Sequence, residues 1–131
     1  MNLIGTFVVL QEAARAIRDG GRIVTISSGH TRSISQGAGP LSATKAGIEE
    51  LSKALALEIA HRSVTVNIVR PNLIESTGIT PEVRIAIADQ IARVPLGGLG
   101  QTFDVANTIS FLVSEDARWI TGSIIDVNGG L

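Results

Sequence analysis

Gly21-Arg22-Ile23-Val24-Thr25-Ile26-Ser27-Ser28 is the stretch that decides the fold. Its middle is apolar and rich in β-branched residues. Glycines precede it, and a Ser- and Gly-rich stretch follows. A short apolar run bounded by turn residues reads as a buried strand, here over 22–27. Upstream the period changes. Leu3, Phe7, Leu10, Ala14 and Ile17 recur at helical spacing, so residues 2–18 read as a helix capped by Asn2 and stopped by Gly20-Gly21. Downstream, residues 28–39 read as a loop. Pro40 then opens a helix to about His61, because a first turn does not need its missing N–H. Val64 to Val69 repeats the strand pattern, and residues 71–79 form a loop. Thr80-Pro81-Glu82 supplies a cap, a first-turn proline and a first-turn acid for a helix to about Ala92. Thr102 caps another helix, with Asp104 in its first turn, to about Ser114, and Ser123 to Val127 reads as a third strand. Helices alternating with short apolar strands predict a parallel α/β sheet of about three strands.

Composition narrows the function classes. The 131 residues suit one domain, and an apolar fraction of 44% is enough for a core. A net charge of −1 argues against a nucleic-acid footprint, which is basic. With no cysteine there is no disulfide or thiol chemistry. The apolar run Leu3 to Leu10 is too short to span a bilayer and has no basic residue before it, so it is a poor signal peptide. The expectation is a cytoplasmic protein with no membrane or nucleic-acid partner and no metal site.

Lys45, in the following helix, stands seventeen positions after Ser28 at the end of the first strand. A hydroxyl and an ammonium brought together this way suit carbonyl–alcohol chemistry, in which an oxygen must gain or lose a proton. A proton donor one helical turn before Lys45 would share its face. That position holds Leu41, and the chain has no tyrosine at all.

This arrangement resembles the short-chain dehydrogenase/reductase family, which reads strand, Ser, thirteen positions on, Tyr-x-x-x-Lys. Ser28 stands thirteen before Leu41, and Lys45 four after it. Asn2-Leu3-Ile4-Gly5-Thr6-Phe7 looks like the start of the family's central helix. Val66-Asn67-Ile68-Val69-Arg70-Pro71-Asn72-Leu73-Ile74 resembles its cofactor loop. Trp119-Ile120-Thr121-Gly122-Ser123 through Val127-Asn128-Gly129-Gly130 resembles its closing strand. Val94-Pro95-Leu96-Gly97 and Phe111-Leu112-Val113-Ser114 are similar to the 3-oxoacyl-carrier-protein-reductase-like branch.

The resemblance implies the C-terminal half of a Rossmann-like doubly wound parallel sheet. Residues 1–131 would form a single partial domain without the Gly-rich half that holds a dinucleotide's pyrophosphate. No glycine fingerprint follows a strand in this sequence. Gly97-Gly98-Leu99-Gly100 reads as a flexible connection instead.

The family reaction is NAD(P)-dependent oxidoreduction of a small carbonyl or alcohol substrate. By resemblance Ser28 holds the substrate oxygen. Lys45 lowers the pKa of the tyrosine and binds the nicotinamide ribose, and Asn2 positions a water. Pro71, Asn72, Ile74 and Ser76 contact the nicotinamide end of NAD or NADP. Asn72 stands for the family's glycine and tolerates unusual backbone angles. Asn128 stands for its aspartate.

Leu41 cannot donate a proton. Ser42 points about 100° away from it and is a poor substitute. His30, two residues past Ser28, titrates near neutrality; it reads first as a solvent-exposed loop histidine, and becomes a replacement acid if its loop folds over the site. His61 reads as a favourable charge at a helix end. Two readings follow: an impaired reductase, or a non-catalytic interaction protein. The second would associate through the helices at 2–18 and 41–61, as a homo-oligomer or with a full-length relative. The first strand would carry an open edge, which favours association.

Overall fold

The computed structural model describes residues 2–131, with side chains from Leu3 onward. The side chain of Asn2, read as a cap and a site residue, lies outside the described residues. Helix α1 (Asn2–Ala16) leads into strand β1 (Arg22–Ile26). Helix α2 (Gly39–Glu58) follows, then β2 (Thr65–Pro71), α3 (Pro81–Ala86), α4 (Ala88–Ala92), α5 (Thr102–Leu112) and β3 (Ile124–Val127). All three strands run parallel in the order β1-β2-β3. Among the described residues, the outer edge of β1 has no strand partner.

Strand β2 lies in the middle, and Val66, Ile68 and Val69 are fully buried. Successive side chains of a strand face opposite ways, so each strand feeds two cores. Ile23, Val64 and Val66 pack with Leu10, Leu55, Ala56 and Ile59 beneath α1 and α2. Val24, Val69, Ile125 and Val127 pack with Val105, Ile109 and Leu112 beneath α5. Helices thus cover both faces, as in a doubly wound sheet. Full burial of such a side chain contributes about 1.5–3 kcal/mol. Asn67, buried in the same strand, spends its amide on the crossing to β3. Its Nδ2 donates to Ile120 O at 2.7 Å, and its Oδ1 accepts from Ser123 N at 3.1 Å.

Several boundaries move. The helix read to His61 ends at Glu58, and Ala60–Arg62 continues as a tighter 3₁₀ turn. The helix read as continuous to Ala92 breaks at Ile87 (φ −106°, ψ 11°), which ends α3 and precedes α4. Gln101, not Thr102, caps α5. The Asp104 carboxylate reaches back to accept the Gln101 N–H at 2.7 Å. Thr80 caps α3 as expected, accepting from Val83 N at 3.3 Å.

Candidate active site

Because the strands are parallel, their C-terminal ends meet on one side of the sheet. Ligands of open α/β sheets sit there. Here the loops after β1, β2 and β3 enclose a cleft of about 1000 Å³. Ser28, His30, Pro71, Asn72, Ile74, Ser76 and Asn128 all line it. Residues read from three separate stretches of the sequence are therefore brought together.

Ser28 caps a 3₁₀ turn over Gly29–Thr31 and has extended backbone angles. Its Oγ lies 3.1 Å from His30 Nδ1 and accepts the His30 N–H at 3.4 Å. The first turn of α2 pins this loop from outside, as Ser42 Oγ donates to His30 O at 3.0 Å. Ser42 is buried and faces the loop.

Lys45 Nζ donates to Ile26 O at 2.9 Å, just before the serine pair. It is half-buried with a carbonyl partner, and it stands beside the cleft rather than on its wall. Leu41 is 38% exposed and does not line the cleft either. The site thus carries a hydroxyl and an ammonium but no acid at the intervening helical position.

A charge network that the sequence reading missed lies beneath the loop. Glu49, 6% exposed, accepts hydrogen bonds from Ser27 Oγ and, at 2.8 Å, from Thr31 Oγ1. Arg70 NH1 stands 3.7 Å from the same carboxylate. Arg70 also grips Asp126 with two nitrogens, at 2.6 and 2.9 Å. That fork geometry is the strong form of an ion pair. The hydrogen bond to Asp126 raises the Arg70 pKa, partly opposed by burial. The same bond holds the Asp126 carboxyl below its ordinary value, again partly opposed by burial. The network joins α2, β2, β3 and the Ser28 loop. Two cues exist in the sequence: a carboxylate one turn after Lys45, and an arginine near the end of an otherwise uncharged strand.

The loop after β2 corrects one expectation. The left-handed residue is Leu73 (φ 51°), not Asn72. Asn72 donates its N–H to Val127 O at 3.0 Å. Its side chain packs so closely on Gly29 that a Cβ there would lie 2.4 Å from Asn72 Cγ. Glycine at 29 is therefore a close-approach residue. Ile74 bridges Gly100 through the flanking groups Leu73 O and Glu75 N. The N–H and C=O of Ile74 itself have no partner among the described residues.

Asn128 closes the terminal turn, with Nδ2 donating to Leu131 O and Oδ1 accepting from Gly130 N. His61 is exposed at the helix end, its Nδ1 3.1 Å from Glu58 O. Gly97 and Gly98 adopt positive φ in a connection that follows no strand. Among the described residues no cluster of three or more His, Asp or Glu suits a metal, and no helix is long and apolar enough to cross a membrane.

A parallel sheet with helices on both faces, and a cleft at its strand ends, defines a Rossmann-like α/β protein. The family described as enoyl-(acyl carrier protein) reductase matches residues 1–131, and the chain belongs to this short-chain dehydrogenase/reductase family. The 3-oxoacyl-[acyl-carrier-protein] reductase FabG of Aquifex aeolicus is 43% identical over 100% of this chain and 54% of its own length. A short-chain dehydrogenase/reductase of Brucella melitensis aligns with a TM-score of 0.91 and 31% identity, over 98% of this chain and 52% of its own. The angucycline C-6 ketoreductase LanV with bound NADP gives 0.89 and 34%, over 98% and 50%. The chain spans about half the length of the curated relatives it matches.

Proposed function

We propose that this chain carries the substrate-side half of an NAD(P)-dependent carbonyl reductase site, impaired by Leu41. The observation that carries the reading is the convergence of Ser28, Pro71, Asn72, Ile74 and Ser76 on one cleft, with Lys45 at its edge. Ser28 holds the substrate oxygen. Lys45 faces the nicotinamide ribose, and Asn2 positions a water that links Lys45 to solvent.

The residues present fit one end of the cofactor only. The unpartnered N–H and C=O of Ile74 suit a carboxamide, and the Ser76 hydroxyl is exposed on the cleft wall. Among the described residues, no strand is followed by a glycine turn and a helix that could hold the pyrophosphate. Bound reduced nicotinamide supplies a hydride. The chain's own work is to orient the carbonyl, hold its oxygen and exclude competing geometries.

Loss of a positioned acid typically lowers a rate by about 10²–10⁴-fold. The test is reduction of small ketones by NADPH, with Leu41→Tyr measured beside the parent. Slow or undetectable turnover in both is expected of the 131-residue chain. A gain from Leu41→Tyr is expected only when a dinucleotide-binding half is added in trans. Rapid turnover by the parent chain alone would overturn this account.

A second reading is favoured by exposed apolar side chains on the two long helices. Ile4 (73% exposed) and Val9 (65%) on α1, and Leu57 (82%) on α2, are apolar and uncovered. A non-catalytic partner role, with association through these helices, fits them. Light scattering of the purified chain reads this directly, and a strict monomer that captures no full-length relative would remove it.

A further inference from the structure

We infer that His30 is the proton partner of Ser28, and that the two side chains together supply the proton Leu41 cannot give. This rests on the reductase reading above and names a residue the family pattern does not require.

Ser28 Oγ and His30 Nδ1 are 3.1 Å apart, within the reach expected of a hydroxyl and its base. Both line the cleft. The loop is held from three sides. Ser42 Oγ donates to His30 O, Thr31 Oγ1 donates to Glu49, and Thr31 N donates to Ser28 O at 3.0 Å. The histidine is therefore fixed beside the serine by groups other than itself.

Elimination points the same way. The titratable side chains on the cleft wall are His30, Arg32, Arg93 and Asp126. A guanidinium does not release its proton in proteins. Asp126 is occupied by Arg70 and, at 3.4 Å, by Arg32. Glu49 lies beneath the loop, bound by Ser27 and Thr31, and Lys45 is spent on Ile26 O. His30 alone combines contact with Ser28 and a proton it can exchange.

In reduction, a bound reduced nicotinamide would supply the hydride to the carbonyl carbon. The Ser28 hydroxyl proton passes to the substrate oxygen, and the Nδ1 proton of the His30 imidazolium passes to Ser28 Oγ. The products are an alcohol and a neutral imidazole. Read backwards and without any cofactor, neutral His30 withdraws the Ser28 proton, which makes Oγ a nucleophile.

That reversal gives a test independent of hydride transfer. The 131-residue chain is treated with diisopropyl fluorophosphate and read by peptide mass spectrometry. Ser28 Oγ bonds to phosphorus, fluoride leaves, and the proton goes to His30 Nδ1. Labelling is expected at Ser28 and absent in Ser28→Ala. His30→Ala and His30→Asn should slow it by about 10²-fold, the size of a lost general base. Asparagine can keep a hydrogen bond in the loop but cannot carry the proton. Added imidazole should restore labelling in His30→Ala, which a purely structural role would not allow.

No label at Ser28 in the parent chain, or equal rates in parent and His30→Asn, overturns the inference and leaves the reductase reading standing. His30-dependent labelling supports it, whatever ketone turnover then shows about the reductase reading.

Discussion

The two ends of the sheet are built to different standards. At the C-terminal ends, every charged group beneath the Ser28 loop has a partner. Arg70 takes Asp126, and Glu49 takes Ser27 and Thr31. At the N-terminal ends, Arg22 Nε and Thr65 Oγ1 are buried with no partner. There the Arg22 terminal nitrogens go to the Gly20 and Gly21 carbonyls and to an exposed Glu115. A buried unpaired polar atom costs about 1–3 kcal/mol. The fold tolerates that cost at one end and avoids it at the other. The avoided end is the one with the cleft, where a displaced loop would misplace Ser28.

The comparison breaks most readily at Arg70. Arg70→Ala leaves the buried Glu49 carboxylate with no cation and Asp126 with only the longer Arg32 contact at 3.4 Å, and should destabilise the chain by about 3 kcal/mol. Urea denaturation checks this. A loss below about 1 kcal/mol would mean the network is ornamental.

Acid attacks the same pair more gently. The folded pKa of Asp126 is held below its unfolded value, about 3.9, by the Arg70 hydrogen bond. Its contribution is therefore present above that unfolded value and lost as pH falls through the folded one. Stability measured from pH 6 down to pH 2 should fall less steeply in Asp126→Asn than in the parent.

The opposite end should respond with the opposite sign. Thr65→Val keeps the shape and removes a hydroxyl that has no partner among the described residues. It should be neutral or stabilising by up to about 1 kcal/mol. A clear loss of thermal stability would show that the hydroxyl is in fact satisfied.

Much of this was legible in the sequence because it is local. The strands announce themselves as Ile23-Val24-Thr25-Ile26 and Val64 to Val69, and Pro40 and Pro81 mark helix starts. The Ser28–Lys45 spacing placed the two groups on adjoining elements. What stayed hidden depends on distance in the chain. Glu49, Arg70 and Asp126 meet only once α2, β2 and β3 are packed. The left-handed turn was assigned to Asn72 because asparagine tolerates it, yet tertiary constraints put it on Leu73. Asn72 is held by Val127 and Gly29 instead. The break at Ile87 has no proline or glycine to signal it. His30 was read first as an exposed loop histidine, and as an acid only if its loop folded over the site; it is half-buried and lines the cleft 3.1 Å from Ser28 Oγ.

We propose that the cleft keeps the nicotinamide and substrate ends of a reductase site; among the described residues there is no pyrophosphate cradle, and position 41 carries no acid. Titrating the isotopically labelled 131-residue chain with NADPH, followed by amide NMR shifts, tests it most directly. The account predicts weak binding, with a Kd near 1 mM or above, corresponding to about −4 kcal/mol or less favourable. The shifts should be confined to Ser28, His30 and the loop from Asn72 to Ser76. Micromolar saturation, or shifts centred on Gly97 to Gly100, would contradict it.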